Sequence, residues 1–583
     1  MSAFAATESD GLAAPSGAMQ TVIVSATTGA YRPKEAASGT ALAVAPTQSS
    51  LQATQPQSVI TREFIELSVA PTAEYSRIVN IAPSLSGDSA NGPGLSETKS
   101  TMRGFSNGQY NITFDGIPWG DTNNPAHHST SFFPGSVIGG AVVERGPGNA
   151  SNLGYARFGG SINLFSKQAA KESSSSLFSS LGTWNTALIG GAYESTRLLD
   201  FGNATVQLNY QHLKSDGYLK LNSIKSDNVL IKVLRNIGAD TLVTVLASAN
   251  KIHYVQPDNN KGPTLAQVAQ FGKNFSLNNE PGSFNYAGYN HTSKDTDFSY
   301  LRFESGWGNG WSTDNHLYTY AYNNQTISST DPTGATAPGT KIGAAGNKNI
   351  PGIDKQNKYR VYGDIFTASK VSSAGTARMG LWYEQSDTQR HQYDLDLTLG
   401  NVRDPRETKP APVQNPSVLF DQNSTIKNFQ PFAEFAWRAA SGTTVKPGIK
   451  LMRITRAVDA LVNQTTRTPQ QTSVDYAASL PFLTINQQLG GELAVYMQYA
   501  KGFQVPDLKS FYIADPSRNS TDPQKSVNYQ LGIVGKSDRL SWDADLYKID
   551  FTNKYVSNNL TGAAAAYVNM GGVVYKGVEG QAT

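Results

Sequence analysis

The chain has 583 residues, of which 16% are charged, with a formal net charge of +3 and a mean hydropathy of −0.37. Zero cysteines exclude disulfides, thiolate metal sites and thiol catalysis, and the near-balanced charge with no basic tract gives nucleic-acid binding no support. No run of about 18 apolar residues exists, which excludes helical spans; a membrane β-barrel passes this test unseen, because its lipid-facing residues alternate with polar ones.

Met1 to Glu8 has neither the basic start nor the apolar core of a secretory signal, yet Ala3-Phe4-Ala5 fits the small-x-small pattern before a cleavage site. The sequence is therefore expected to begin inside a signal peptide, with a mature end near Ala6, an accidental Ala-rich tail being the alternative. From Ala6 to about Gln52 the composition of Ala, Ser, Thr, Gly and Pro cannot offset ordering entropy and predicts a mobile arm over residues 1–50. A short β-prone stretch from Met19 to Ala26 interrupts it.

Residues 51–168 read as a compact, turn-rich α+β domain. Pro56 to Ile65 predicts a strand followed by a helix start capped by Thr61, and Glu74 to Ile81 a short helix ending before Pro83. Four blocks follow, each an apolar strand running into a Gly, Asp-Gly or Gly-Pro corner: Met102-Arg103-Gly104-Phe105, Asn111-Ile112-Thr113-Phe114-Asp115-Gly116-Ile117-Pro118, Val143-Glu144-Arg145-Gly146-Pro147-Gly148 and Phe158-Gly159-Gly160-Ser161-Ile162-Asn163-Leu164. Ser173 to Ser176 then mark a linker.

From 177 to 583 the texture is one of long alternating strands. Val206, Leu208 and Tyr210 alternate with Thr205, Gln207 and Asn209; Leu493, Val495, Met497 and Tyr499 share one parity; Leu540, Trp542, Ala544 and Leu546 oppose Ser541, Asp543 and Asp545. In a barrel the apolar parity faces lipid and the polar, here acidic, parity the lumen, whereas a soluble sandwich would turn the apolar parity to a core. Long polar connections at Val255 to Lys294 and Thr326 to Gln356, against short turns such as Ser537-Asp538-Arg539, favour the barrel.

In their order these blocks resemble the plug domain of TonB-dependent outer-membrane receptors of the siderophore-receptor kind. Gln20-Thr21-Val22-Ile23-Val24-Ser25-Ala26 resembles the TonB box, which offers a strand to the periplasmic energy-coupling protein. Tyr499 to Pro506, Pro523 to Gly532 and Asn569 to Gly580 resemble late barrel blocks of the family. The resemblance implies an all-β antiparallel transmembrane barrel, 22-stranded in the complete protein, with the α+β plug in its lumen. At roughly 25 residues per strand with its connection, residues 177–583 supply about 16 strands. The expectation is a fragment without the last barrel strands, an open barrel whose two bare edges prevent stable insertion.

The resemblance also implies a function. It points to active uptake of a scarce nutrient across the bacterial outer membrane, a ferric siderophore or other metal complex, with haem, cobalamin or carbohydrate as other cargoes of the same family. Expected partners are a TonB-type coupling protein, the small-molecule or metal-chelate ligand and outer-membrane lipid, with no cofactor. A passive porin or adhesin barrel is the rival. The segment after Asp115-Gly116-Ile117-Pro118 rises in the family toward the ligand, so Trp119, Asp121, His127 and His128 are the candidate ligand contacts; the alternative is a loop packed against the barrel, two histidines being an incomplete metal site. Arg103, Glu144 and Arg145 are candidate plug–barrel contacts, the arginines pairing with lumen carboxylates. Motifs for serine, zinc or phosphate chemistry are absent, so no enzyme is expected.

Overall fold

The computed structural model describes residues 41–583 except 124, 156–157, 170–171, 197–203, 259–261, 331–349, 398–401, 404–417, 465–466, 512–521 and 559–565. Among the described residues a 5-stranded sheet lies inside a barrel wall of sixteen long antiparallel strands.

The inner sheet has the order Gln57–Thr61, Ile138–Glu144, Ser161–Ser166, Asn111–Phe114, Ile117–Pro118. Its strands are short and buried on both faces. Only Asn111–Phe114 and Ser161–Ser166 run parallel. The predicted cap forms, Thr61 accepting from Phe64 N at 3.2 Å before helix Arg62–Ser68; Glu74, read from the sequence as the first residue of the next helix, instead caps helix Tyr75–Val79 by accepting from Ser76 N at 2.6 Å. Asp115 and Gly116, with φ of 49° and 84°, make the two-residue corner that returns Asn111–Phe114 onto Ile117–Pro118. At Gly160 (φ 137°) a Cβ would sit 2.1 Å from the carbonyl oxygen of Glu144, so only glycine lets the two segments meet.

The barrel strands run from Ser174–Gly182 to Val573–Ala582. The proposed linker at Ser173 to Ser176 is thus mostly the start of the first strand, since the chain pairs as soon as it leaves the inner domain. The alternation has the predicted sense: Leu208, Tyr210, Met497 and Leu546 are exposed outward, while Gln207, Asn209, Asp543 and Asp545 are buried inward. Short turns such as 309–310 and 441–442 gather at one rim and the long connections at the other. Both long connections are shorter than the sequence indicated, because strands reach Ser329 and begin again at His291 and Pro351.

Each long strand from Ser174–Gly182 to Val573–Ala582 is paired in register with the next, and no register joins the last of them to the first among the described residues. These two end strands are the most exposed part of the wall, with Leu177 at 92%, Leu181 at 84% and Val578 at 75%. Inside, apolar side chains of the inner domain such as Phe114, Phe132 and Leu153 join Leu246, Phe298, Trp382 and Phe432 of the wall in one continuous core. The lumen at this height is packed, as in a plugged barrel rather than a water-filled one.

Candidate functional site

A hairpin corner aims the first plug arginine at the wall. Met102 and Phe105 exchange backbone bonds of 2.9 and 2.8 Å across Arg103-Gly104, whose φ values of 52° and 76° define a type I′ turn. The side chain of Arg103 meets Glu579 through Nε to Oε1 at 2.8 Å and Nη2 to Oε2 at 2.7 Å, and reaches Asp545 at 3.1 Å. Its guanidinium lies 4.0 Å from the centroid of the Tyr547 ring.

Arg145, just beyond Ile138–Glu144, brings Nε to 2.9 Å from Glu579 Oε2, Nη2 to 3.3 Å from Asp543 and Nη1 to 2.6 Å from Ser58 Oγ. Both arginine side chains are fully enclosed. Two guanidinium groups therefore face three wall carboxylates out of contact with water; Glu579 takes a further donor from Ser84 and Asp543 from Ser49 and Gln581, while Asp545 Oδ1 and Arg103 Nη1 have no hydrogen-bond partner. Such an arrangement is tolerable only while each charge keeps its partners. Glu144, expected at the same contact, accepts instead from Asn152 and Asn163 of the plug at 3.0 and 3.1 Å.

The segment before the plug is tied to the same place. Gln48 and Val59 exchange backbone bonds of 3.0 and 2.9 Å, Ser49 N donates to Ser541 Oγ at 3.0 Å, and Asn486 donates to the carbonyls of Leu51 and Ala53 at 3.0 and 2.7 Å. The expected mobility as far as Gln52 therefore does not hold for residues 47–52. The sequence hides this because the contacts are backbone and hydroxyl bonds that impose no apolar period. Gln20 to Ala26 lie outside the described residues.

The four candidate ligand contacts separate into two kinds. Trp119 is 3% exposed and packs edge-on against Tyr75, His127 and Phe133 at 6.0, 5.1 and 5.7 Å. His127 is buried too, its Nδ1 2.9 Å from Asn107 Oδ1, and burial pushes its pKa down to about 3. These two belong to the plug core.

Asp121 and His128 form a polar cluster above that core. The imidazole of His128 points one nitrogen to Glu97 and the other to Asp121, each at 3.1 Å, and stacks on Tyr322 of the wall at 4.6 Å. Burial alone would lower its pKa, but Glu97 and Asp121 outweigh this and raise it to about 9, so both nitrogens donate. Burial likewise pushes the Glu97 carboxyl up, yet Lys294 of the wall and His128 hold it well below the usual carboxylate range. Asp121 also accepts from Asn357 Nδ2 at 2.8 Å. The adjacent histidines point to different partners and do not share a ligand set.

Residues 236–583 match the family described as "TonB dependent receptor-like, beta-barrel", and residues 49–161 match "TonB-dependent Receptor Plug Domain". The chain belongs to the TonB-dependent receptor family. Members are transporters of the outer membrane rather than enzymes, and they bind small-molecule or metal-chelate ligands. Solved structures agree in fold. The ferric citrate transporter FecA in its unliganded form superposes with a TM-score of 0.72 at 16% identity, covering 91% of this chain and 75% of that one. The copper transporter OprC gives 0.69 at 15% identity over 92% and 76%, and the siderophore receptor PiuA from Acinetobacter baumannii 0.68 at 14% over 92% and 78%. No curated protein shows a significant match to the sequence.

Sequence reasoning did not single out Glu579, Asp543 and Asp545 as the receptor's lock carboxylates, although the acidic inward parity of Ser541 to Asp545 carried the signal. Glu97 and Lys294 carried none, being single charges in unremarkable surroundings.

Proposed function

We propose that this receptor imports a metal chelate, a ferric siderophore or a related complex, with energy delivered through a TonB-type partner acting on Gln20 to Ala26. The observation that carries the reading is the filled lumen. The plug bonds to the wall at Asp115 with Tyr300 (2.9 Å), at Ser151 with Glu434 (2.9 Å) and at Phe132 O with Asn250 (2.6 Å), besides the arginine lock. A passive pore needs an open path, whereas a lumen closed on several sides needs work to open it.

In this reading ligand meets the plug at the Asp121–His128 cluster, with Trp119 and His127 as the rigid floor beneath. Ligand that prefers one arrangement of that cluster biases the plug, as any population shift requires. Likeness to a ferric citrate transporter, a siderophore receptor and a copper transporter supports a metal-containing cargo as a class. The test is uptake of radiolabelled ferric chelates by cells carrying the receptor as their sole route, with and without residues 20–26. Deletion is expected to abolish energy-dependent uptake while leaving binding at the cell surface. Uptake that persists without those residues would favour a passive barrel.

A further inference from the structure

The wall strand Thr443–Val462 carries a charge that neither the arginine lock nor the apical cluster uses. Arg456 stands on its inward parity and is 2% exposed. Its Nε and Nη1 have no hydrogen-bond partner, and it forms no ion pair among the described residues. Arg103 and Arg145 are enclosed as deeply, yet each meets carboxylates. A guanidinium taken out of water without a counter-charge bears the whole desolvation penalty and recovers none of it. Rules of this kind are broken mainly at functional sites.

The strand register fixes its neighbours. Ser386, Ile426 and Arg456 occupy one inward row across three strands, with Asn428 on the row below and Gln422 two rows above, toward the long connections. Ser386 Oγ, Asn428 Nδ2 and both amide atoms of Gln422 are likewise buried without a hydrogen-bond partner. Glu384, on the row of Asn428, is engaged elsewhere and takes the hydroxyls of Tyr155 and Tyr318. The patch flanks the plug apex. The hydroxyl of Thr122, next to Asp121, lies 2.5 Å from that of Thr388, one row above Ser386, and Leu508 N donates to Asn123 O at 3.1 Å. The helical turn Leu508–Phe511 in its turn packs against the strand of Arg456.

We propose that Arg456 takes a carboxylate of the cargo, so that the receptor selects metal chelates with a free carboxylate over neutral ones. The inference rests on the reading that the cargo is a metal chelate held above the plug, and it narrows that chelate's class. A guanidinium presents a rigid fork of donors that matches a carboxylate. One guanidinium balances one charge, which a carboxylate brings and a dianionic phosphate exceeds. The hydroxyl and amides around it are the groups that bond the hydroxyl and carbonyl oxygens such a chelate carries beside its carboxylate. Asp121 and His128 are already bonded to each other, to Asn357 and to Glu97, whereas no described residue supplies the counter-charge of Arg456.

The experiment titrates the full chain in mild detergent with three probes: ferric citrate and the ferric complex of a citrate-based dihydroxamate, both of which keep a carboxylate, and a neutral ferric trihydroxamate. Arg456→Met is expected to bind the two carboxylate chelates about ten- to a hundredfold more weakly than the parent, the scale of one charge-assisted contact, and Arg456→Lys to recover part of the loss. The trihydroxamate should bind the parent weakly and Arg456→Met no differently. Ligand-free Arg456→Met should unfold at the parent's temperature or above it, because no ion pair is lost. A lower unfolding temperature would make the arginine structural and overturn the proposal. So would equal affinity of parent and Arg456→Met for the carboxylate chelates, or a parent that prefers the trihydroxamate. Binding of none of the three would overturn the ferric-chelate reading itself, and this inference with it.

Discussion

The hydroxyl of Ser49 donates to the carboxylate of Asp543, and that carboxylate also takes Nη2 of Arg145 at 3.3 Å. A residue of the segment that precedes the plug thus completes the coordination of a wall carboxylate that holds the plug. The Ser49 hydroxyl thus makes one of the bonds that join this segment to the lock. Ser49→Ala is expected to loosen the lock by about 1.5–3 kcal/mol, the range for a hydrogen bond to a charged group. Hydrogen exchange should then speed up at Gln57–Thr61 and Ile138–Glu144; unchanged protection there would separate the segment from the lock.

Glu579 is the shared partner of both arginines, so it is the most sensitive point. Glu579→Gln leaves two buried guanidinium groups without their common carboxylate, and breaking such a pair costs about 3–5 kcal/mol. The plug should become protease-sensitive while the barrel stays folded. Glu144→Gln, on the plug's own amides, should have a smaller effect. Equal protease resistance of Glu579→Gln and parent would remove the lock from the account.

The apical cluster should respond to pH. His128 is raised from 6.5 to about 9, so its contribution is complete below pH 6.5 and is lost as pH rises through about 9. Glu97 is lowered, so its contribution is present above its ordinary value of 4.5 and is lost as pH falls through its depressed value. Docking of the plug apex should therefore weaken between pH 6.5 and 9. Thermal stability measured across this window should fall in the parent and run flatter in His128→Ala. A slope identical in both would show that another group is responsible.

Trp119→Ala should act on stability before it acts on binding. The side chain fills an aromatic cluster with Tyr75, His127, Phe132 and Phe133, and truncating a buried aromatic costs about 3–5 kcal/mol. Asp121→Ala, in the polar cluster above, should change ligand affinity with a smaller loss of stability. Calorimetry paired with chelate titration distinguishes the two; a Trp119→Ala protein as stable as the parent would place that ring at the ligand instead.

The alternation in the chain, taken with the lengths of its connections, pointed without any coordinates to a barrel and to the face of each strand that meets lipid, because a period of two is a local property of the strand. The corners at Arg103-Gly104 and Asp115-Gly116 and the cap at Thr61 were equally legible, since positive φ and orphan amide groups demand particular residues nearby. The burial of Trp119 and His127 and the meeting of Arg103, Arg145 and Ser49 around Glu579, Asp543 and Asp545 could not be read that way. The second joins residues that lie hundreds of positions apart, and a lone charge or hydroxyl has no pattern that names its partner. Only the threading of the plug through the barrel brings the two ends of the chain to one site, and that contact decides which charges are locks and which are surface.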